Sequence, residues 1–156
     1  MKHTLSVLVE NHAGVLSRIS GLFARRGYNI DSLAVGITED PSISRMTIVV
    51  NGDNYILEQV EKQLNKLIDV IKVQRLKEGE YISRELVLYK IFCSTNDRNA
   101  IMDTVKIMDA KIVDVSTSTV TVEACDTPSR LETLQELLTP FGIKETVRTG
   151  VIALEK

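Results

Sequence analysis

Apolar positions along the chain fall into two alternating rhythms, broken by short polar punctuation. From Lys2 to Glu10, Leu5, Val7 and Val9 alternate with His3, Thr4, Ser6 and Leu8, the period-two pattern of a strand with one buried face. The rhythm stops at Asn11-His12-Ala13-Gly14. Val15, Leu16, Ile19, Leu22 and Phe23 then recur at three- and four-residue steps as far as Arg26, and Gly27 follows as a helix stop. Ile30 to Thr38 and Ser42 to Val50 read as two strands joined through Glu39-Asp40-Pro41, residues suited to a tight reversal. Ile56, Leu57, Val60, Leu64, Leu67 and Ile68 form a second helical stripe, and Val70 to Leu76 a fourth strand. The order is β-α-β-β-α-β.

After the charged stretch Lys77-Glu78-Gly79-Glu80 the same order begins again. Glu85 to Phe92 reads as a strand, Ile101, Val105 and Met108 mark a helix, and Lys111 to Ala124 is rich in Val, Ile and Thr, as paired strands are. Thr127-Pro128-Ser129 opens a further helix with a capping residue and a first-turn proline; Leu131, Leu134, Leu137 and Leu138 give its stripe, and Pro140-Phe141-Gly142 ends it. Ile143 to Leu154 closes the unit as strand. The expected fold class is therefore α+β: two ferredoxin-like βαββαβ units, residues 1–76 and 84–156, joined by a linker at 77–83. Sheets of this kind leave edges and an open face, and Val35, Ile37, Ile48 and Val50 are the apolar groups expected there, so a homodimer or larger assembly is anticipated.

Composition narrows the functions available. The 156 residues are 44% hydrophobic and 26% charged, with formal charge −2; there is a core to bury and no basic surplus to attract nucleic-acid phosphates. The two cysteines, Cys93 and Cys125, have no metal-ligand or redox spacing and read as packed thiols. Asp97, Asp103, Asp109 and Asp114 are scattered acids, and no metal site is expected. The amino-terminal apolar run is short for a signal peptide and none approaches the ~18 residues of a membrane span, so a cytoplasmic protein without membrane or nucleic-acid partners is expected.

Chemistry concentrates at Glu10-Asn11-His12-Ala13-Gly14-Val15-Leu16-Ser17-Arg18, where a strand end, a glycine turn and a helix start meet. Unpaired amides and partial positive charge at a helix start suit a carboxylate, and glycine lets a ligand approach the backbone. Asn11 offers both donor and acceptor, and Val15, Leu16 and Ile30 an apolar wall: the outline of an amino-acid pocket. On spacing alone the segment reads first as an ordinary capped connection, and the pocket signal is weak. His12 reads as a solvated loop histidine and His3 as a surface strand residue; Arg18, Arg25 and Arg26 read as a solvated helix face or as contacts for a partner or an anionic regulator.

This segment resembles the ACT domain, a small-molecule sensing module. Together with Arg25-Arg26-Gly27-Tyr28-Asn29-Ile30 it is similar to the regulatory small subunits of acetohydroxyacid synthase (acetolactate synthase), and the resemblance extends over essentially the whole chain. It implies a non-catalytic subunit that binds valine for feedback inhibition and activates a catalytic large subunit in branched-chain amino acid biosynthesis. Thiamine diphosphate, Mg and FAD are then cofactors of that partner and none is bound here, with the complex in the cytoplasm or, if organelle-encoded, the plastid stroma. It also implies a homodimer through the ACT domains, with Asn11, Gly14, Val15 and Leu16 of one chain meeting Asn29 and Ile30 of the other around valine. The second unit, whose Ser94-Thr95-Asn96-Asp97 turn lacks the glycine-valine-leucine start, is not expected to repeat the site. A free-standing amino-acid-responsive transcriptional or metabolic regulator is the rival, and the missing helix-turn-helix and basic patch count against DNA binding; an independent enzyme lacks a nucleophile, acid-base or phosphate-loop constellation.

Overall fold

The computed structural model describes residues 1–156, which divide into two compact units: 1–82 with 151–156, and 83–150. In the first unit β1 (Lys2–Glu10), α1 (Val15–Arg26), β2 (Asn29–Ile37), β3 (Ile43–Asn51), α2 (Asn54–Asn65) and β4 (Val70–Leu76) follow the order read from periodicity. The strands are antiparallel and lie in the order β2-β3-β1-β4. Local sequence sets the helix limits. Gly14, at φ +90°, turns the chain into α1, and Gly27, at φ +68°, ends it with amides of Gly27 and Tyr28 closing on the carbonyls of Ala24 and Phe23, a left-handed cap that only glycine adopts readily. α2 starts on Asp53, whose carboxylate accepts the Ile56 N–H at 2.9 Å.

One core lies between sheet and helices. Leu5, Val7 and Val9 of β1 meet Met46, Ile48 and Val50 of β3, with Val15, Ile19, Leu22 and Phe23 from α1 and Leu57, Val60 and Leu64 from α2. Each such side chain contributes about 1.5–3 kcal/mol of transfer free energy. Phe23 also meets Tyr28 edge to face, ring centroids 5.9 Å apart.

The expectation that Val35, Ile37, Ile48 and Val50 share an open sheet face needs correction. Ile48 pairs with Leu5 and Val50 with His3, and both valine and isoleucine are buried beneath the helices. Val35 and Ile37 project to the same side, since partners across an antiparallel pair do so, but they stand on the edge strand β2 and remain exposed. The opposite face is small and largely polar, with Thr4, Ser6, Thr47, Val49 and Leu76 all buried. The chain's last residues cover it. The Val151 N–H donates to Ser32 Oγ at 2.9 Å, β9 (Ile152–Glu155) lies against β1, and Gln74 bonds Glu155.

In the second unit β5 (Tyr81–Phe92), α3 (Arg98–Ile107), β6 (Lys111–Val115), β7 (Thr119–Asp126), α4 (Pro128–Leu138) and β8 (Ile143–Arg148) repeat the order, as a sheet β6-β7-β5-β8. Its own core joins Val87, Tyr89 and Ile91 to Ile101, Val105, Val120, Val122, Leu131, Leu134 and Leu138. Thr127 caps α4 and Pro128 occupies its first turn, as the sequence predicts. The strand expected over 143–154 is two strands instead. It breaks at Thr149-Gly150, where Gly150 has φ +89° and Thr149 bonds the Leu86 carbonyl, and β9 beyond the break pairs with β5 at its start, the Lys156 N–H donating to Glu80 O.

Candidate functional site

The turn from Glu10 to Gly14 is held from two sides. Asn11 fixes it to the β2–β3 turn, its N–H donating to Ser42 O at 2.8 Å and its Nδ2 to Pro41 O at 2.9 Å. The Glu10 N–H donates to the carbonyl of Asp69, just ahead of β4, at 2.9 Å. Between these anchors α1 begins on Gly14 with no side chain capping it and no acidic residue in its first turn. The amides at that end therefore meet the positive pole of the helix without an internal anion. A Cβ on Gly14 would stand 3.7 Å from the nearest heavy atom, on Arg18, so the glycine answers a backbone requirement rather than a lack of space.

The six residues singled out by sequence divide into two groups. Asn11, Gly14 and Leu16 are exposed at the start of α1, whereas Val15 points into the core. Asn29 and Ile30 begin β2 at the far end of the sheet: Asn29 stands opposite Asn51, whereas Glu10 stands opposite Ile43. Eight strand residues separate those positions, about 26 Å at 3.3 Å each. Ile30 packs against the core and Asn29 Nδ2 bonds Asp31 at 3.3 Å. One chain thus carries both groups and does not bring them together.

Beside the turn lies a cluster that sequence reading passed over. Asp69, with a side chain only 9% exposed, holds Arg18 through Oδ2 and lies 2.9 Å through Oδ1 from Nε2 of His12. The same Nε2 is 3.2 Å from Glu10 Oε2, while His12 Nδ1 is 3.2 Å from the Ala13 carbonyl. Hydrogen bonding to that carbonyl and to Glu10, with the nearby charges of Asp69 and Glu10, raises the His12 pKa above its ordinary value. His12 is the solvent-exposed loop residue expected, and its ring also joins an ion-pair network. Glu10, His12 and Asp69 offer ligand-type atoms within 4.8 Å of one another, but the Arg18 guanidinium already neutralises one carboxylate and opposes a cation there. The only sequence sign of the cluster was Arg18 following the turn; Asp69 lies far along the chain and stands out in no local pattern.

The corresponding turn of the second unit is built differently. α3 starts at Asp97, whose carboxylate receives the Ser94 hydroxyl at 2.9 Å. A fixed negative group at that position disfavours an incoming carboxylate. Cys93 is buried and Cys125 exposed, and neither has a catalytic neighbour among its hydrogen-bond partners. Arg26 bonds Gln63 at 3.2 Å across the α1–α2 surface. No helix is long and apolar enough to cross a membrane.

Comparison with known proteins covers both units. Residues 5–72 match the family model described as AHAS small subunit-like ACT domain, and residues 84–156 the model described as small subunit of acetolactate synthase. The chain is 51% identical over 154 residues to the acetolactate synthase small subunit of Mycolicibacterium smegmatis, covering 99% of this chain and 91% of that protein. It is 49% identical, with the same coverage, to that of Mycobacterium leprae. Among solved structures, the acetolactate synthase small subunit of Thermotoga maritima superposes with a TM-score of 0.90 at 37% identity, over 100% of this chain and 98% of that one.

Proposed function

The chain belongs to the acetolactate synthase small-subunit family, and from that premise we propose that it is the non-catalytic regulatory subunit of such an enzyme, binding valine at a site completed by a second copy of itself. The observation that carries this reading is the separation of its site residues. An uncapped helix start with Asn11 and Gly14 lies at one end of the sheet, Asn29 and Ile30 at the other, and the unpaired edge strand β2 runs between them. An edge strand is a ready surface for a second chain. Antiparallel pairing of two β2 edges carries Asn29 and Ile30 of one protomer toward the α1 start of its partner, and by symmetry forms two such sites.

Within each site the free amides of the first turn of α1 take the effector carboxylate, with Val15 contributing its main chain because its side chain is in the core. The Asn11 and Asn29 amides supply acceptors for the ammonium group, and Leu16 and Ile30 the apolar surface for the isopropyl group. Leucine brings one methylene more, a difference of about 1–3 kcal/mol, so valine is preferred without absolute discrimination. An effector that bridges two chains changes their arrangement only as far as it binds one arrangement better, and that difference is what reaches the catalytic subunit. The large subunit of acetolactate synthase, the cytoplasmic partner in this reading, supplies the cofactors and chemistry.

Isothermal titration with valine, leucine and lysine tests the site, and reconstitution tests the role. Saturable binding in the order valine, leucine, lysine is expected, together with valine-sensitive stimulation of a catalytic subunit that is weakly active alone. Acetolactate formation by this chain alone, or valine binding unaffected by Asn11→Ala with Asn29→Ala, would overturn the reading.

A further inference from the structure

The ion-pair cluster beneath the binding turn belongs to neither the effector contacts nor the hydrophobic core. Asp69 is the one carboxylate that reaches both sides of the turn. It lies ahead of β4, accepts the Glu10 N–H on its main chain, holds Arg18 of α1 on one carboxylate oxygen and faces His12 with the other. Such a buried acid is stable only while its charge is matched. From the remaining side, the β2–β3 turn, the groups reaching the binding turn are the uncharged carbonyls of Pro41 and Ser42. The charged groups facing His12 are therefore Glu10 from β1 and Asp69 ahead of β4, with Arg18 of α1 bound to that same Asp69.

His12 itself is flanked by acceptors on both ring nitrogens: the Ala13 carbonyl at Nδ1, and the carboxylates of Glu10 and Asp69 at Nε2. A neutral imidazole has one N–H and leaves one of these contacts acceptor against acceptor; the imidazolium satisfies both. We propose that Asp69 is a positioning residue for the effector site, fixing the Asn11–Gly14 turn through protonated His12 and the α1 start through Arg18, so that the effector binds more tightly while His12 keeps its proton. This deepens the valine-site reading and rests on it.

The direction in pH follows from the linkage. Because folding raises the His12 pKa, the contact is fully formed below the ordinary histidine value of about 6.5 and is lost as pH rises through the raised value. Loss of the proton costs His12 either the Ala13 contact or the carboxylate contacts, which loosens the turn, and also removes a positive charge close to the bound carboxylate. Valine affinity is expected to fall by about fivefold across that range, the low end of coupling between linked sites.

Two measurements on the full chain separate this proposal from the reading it rests on. The first needs no effector: proton NMR titration of the two histidines, with His12 assigned by His12→Gln. A His12 midpoint above about 6.5 that falls in Asp69→Asn is expected; Glu10→Gln, which leaves the buried acid in place, gives a second test should Asp69→Asn unfold. A midpoint unmoved in both variants overturns the positioning role. The second is valine titration between pH 5.5 and 8.5, chosen to bracket about 6.5. Affinity that weakens with pH in the native chain and is flat in His12→Gln is expected, and a slope surviving in His12→Gln overturns the proposal. Absence of valine binding at every pH, with the NMR result as expected, strikes the effector reading and leaves the cluster standing as the anchor of the turn.

Discussion

Gly14 serves two purposes at one residue: its positive φ turns the chain into α1, and its missing side chain leaves the first amides open. Replacing it by alanine places a Cβ at ordinary contact distance from Arg18, so the cost is backbone strain, about 1–2 kcal/mol. Gly14→Ala should lower the thermal midpoint by a few degrees and weaken valine binding more than that strain explains, which melting curves and titration on the same sample would compare. The glycine-valine-leucine start was legible because strand, turn and helix signals meet within a few residues. Asp69 and the true setting of His12 were not, since a partner distant in sequence leaves no trace in local periodicity. Val15 was half legible: its place on the helical stripe was clear, but the same stripe sends its side chain to the core rather than to a ligand.

At the level of elements, periodicity located all four helices because each presents a regular apolar face, while clear stop signals marked only α1 and α4. The α1 face buries Val15, Ile19, Leu22 and Phe23 in the core of the first unit, and Ile19 is 2% exposed. Ile19→Ala should destabilise by about 2–5 kcal/mol, measurable by urea unfolding. Asp53→Ala removes the carboxylate that caps α2 and should cost about 1 kcal/mol in the same assay. Sidedness was harder to read than existence. In β3 the run Met46 to Val50 is buried on both faces, so alternation gave no signal that Ile48 and Val50 face the helices. The break at Gly150 was equally hidden: a positive-φ glycine interrupts a strand without disturbing its apolar pattern, yet it sends Val151 and Ala153 back to bury against the first unit. Ala153→Asp should place an unpaired charge there and lower the stability of that unit markedly, a result readable from its amide exchange.

At the scale of the molecule, the two units share a fold but open their first helices differently, one on Gly14 and the other on Asp97. In the first unit the residues proposed to hold the effector stand in two halves about 26 Å apart along the sheet. Under the proposed function, regulation by a ligand requires assembly, which makes binding a property of the paired chains. Valine titration of a one-to-one mixture of the Asn11→Ala and Asn29→Ala chains, after exchange of subunits, tests this most directly. Each variant alone has no intact site, whereas a mixed dimer has one site with both mutations and one with neither. Binding should return at native affinity in about a quarter of the sites, the share for random pairing in a two-fold dimer. A mixture that binds no better than its components, while the native chain binds valine, would contradict a site shared between chains.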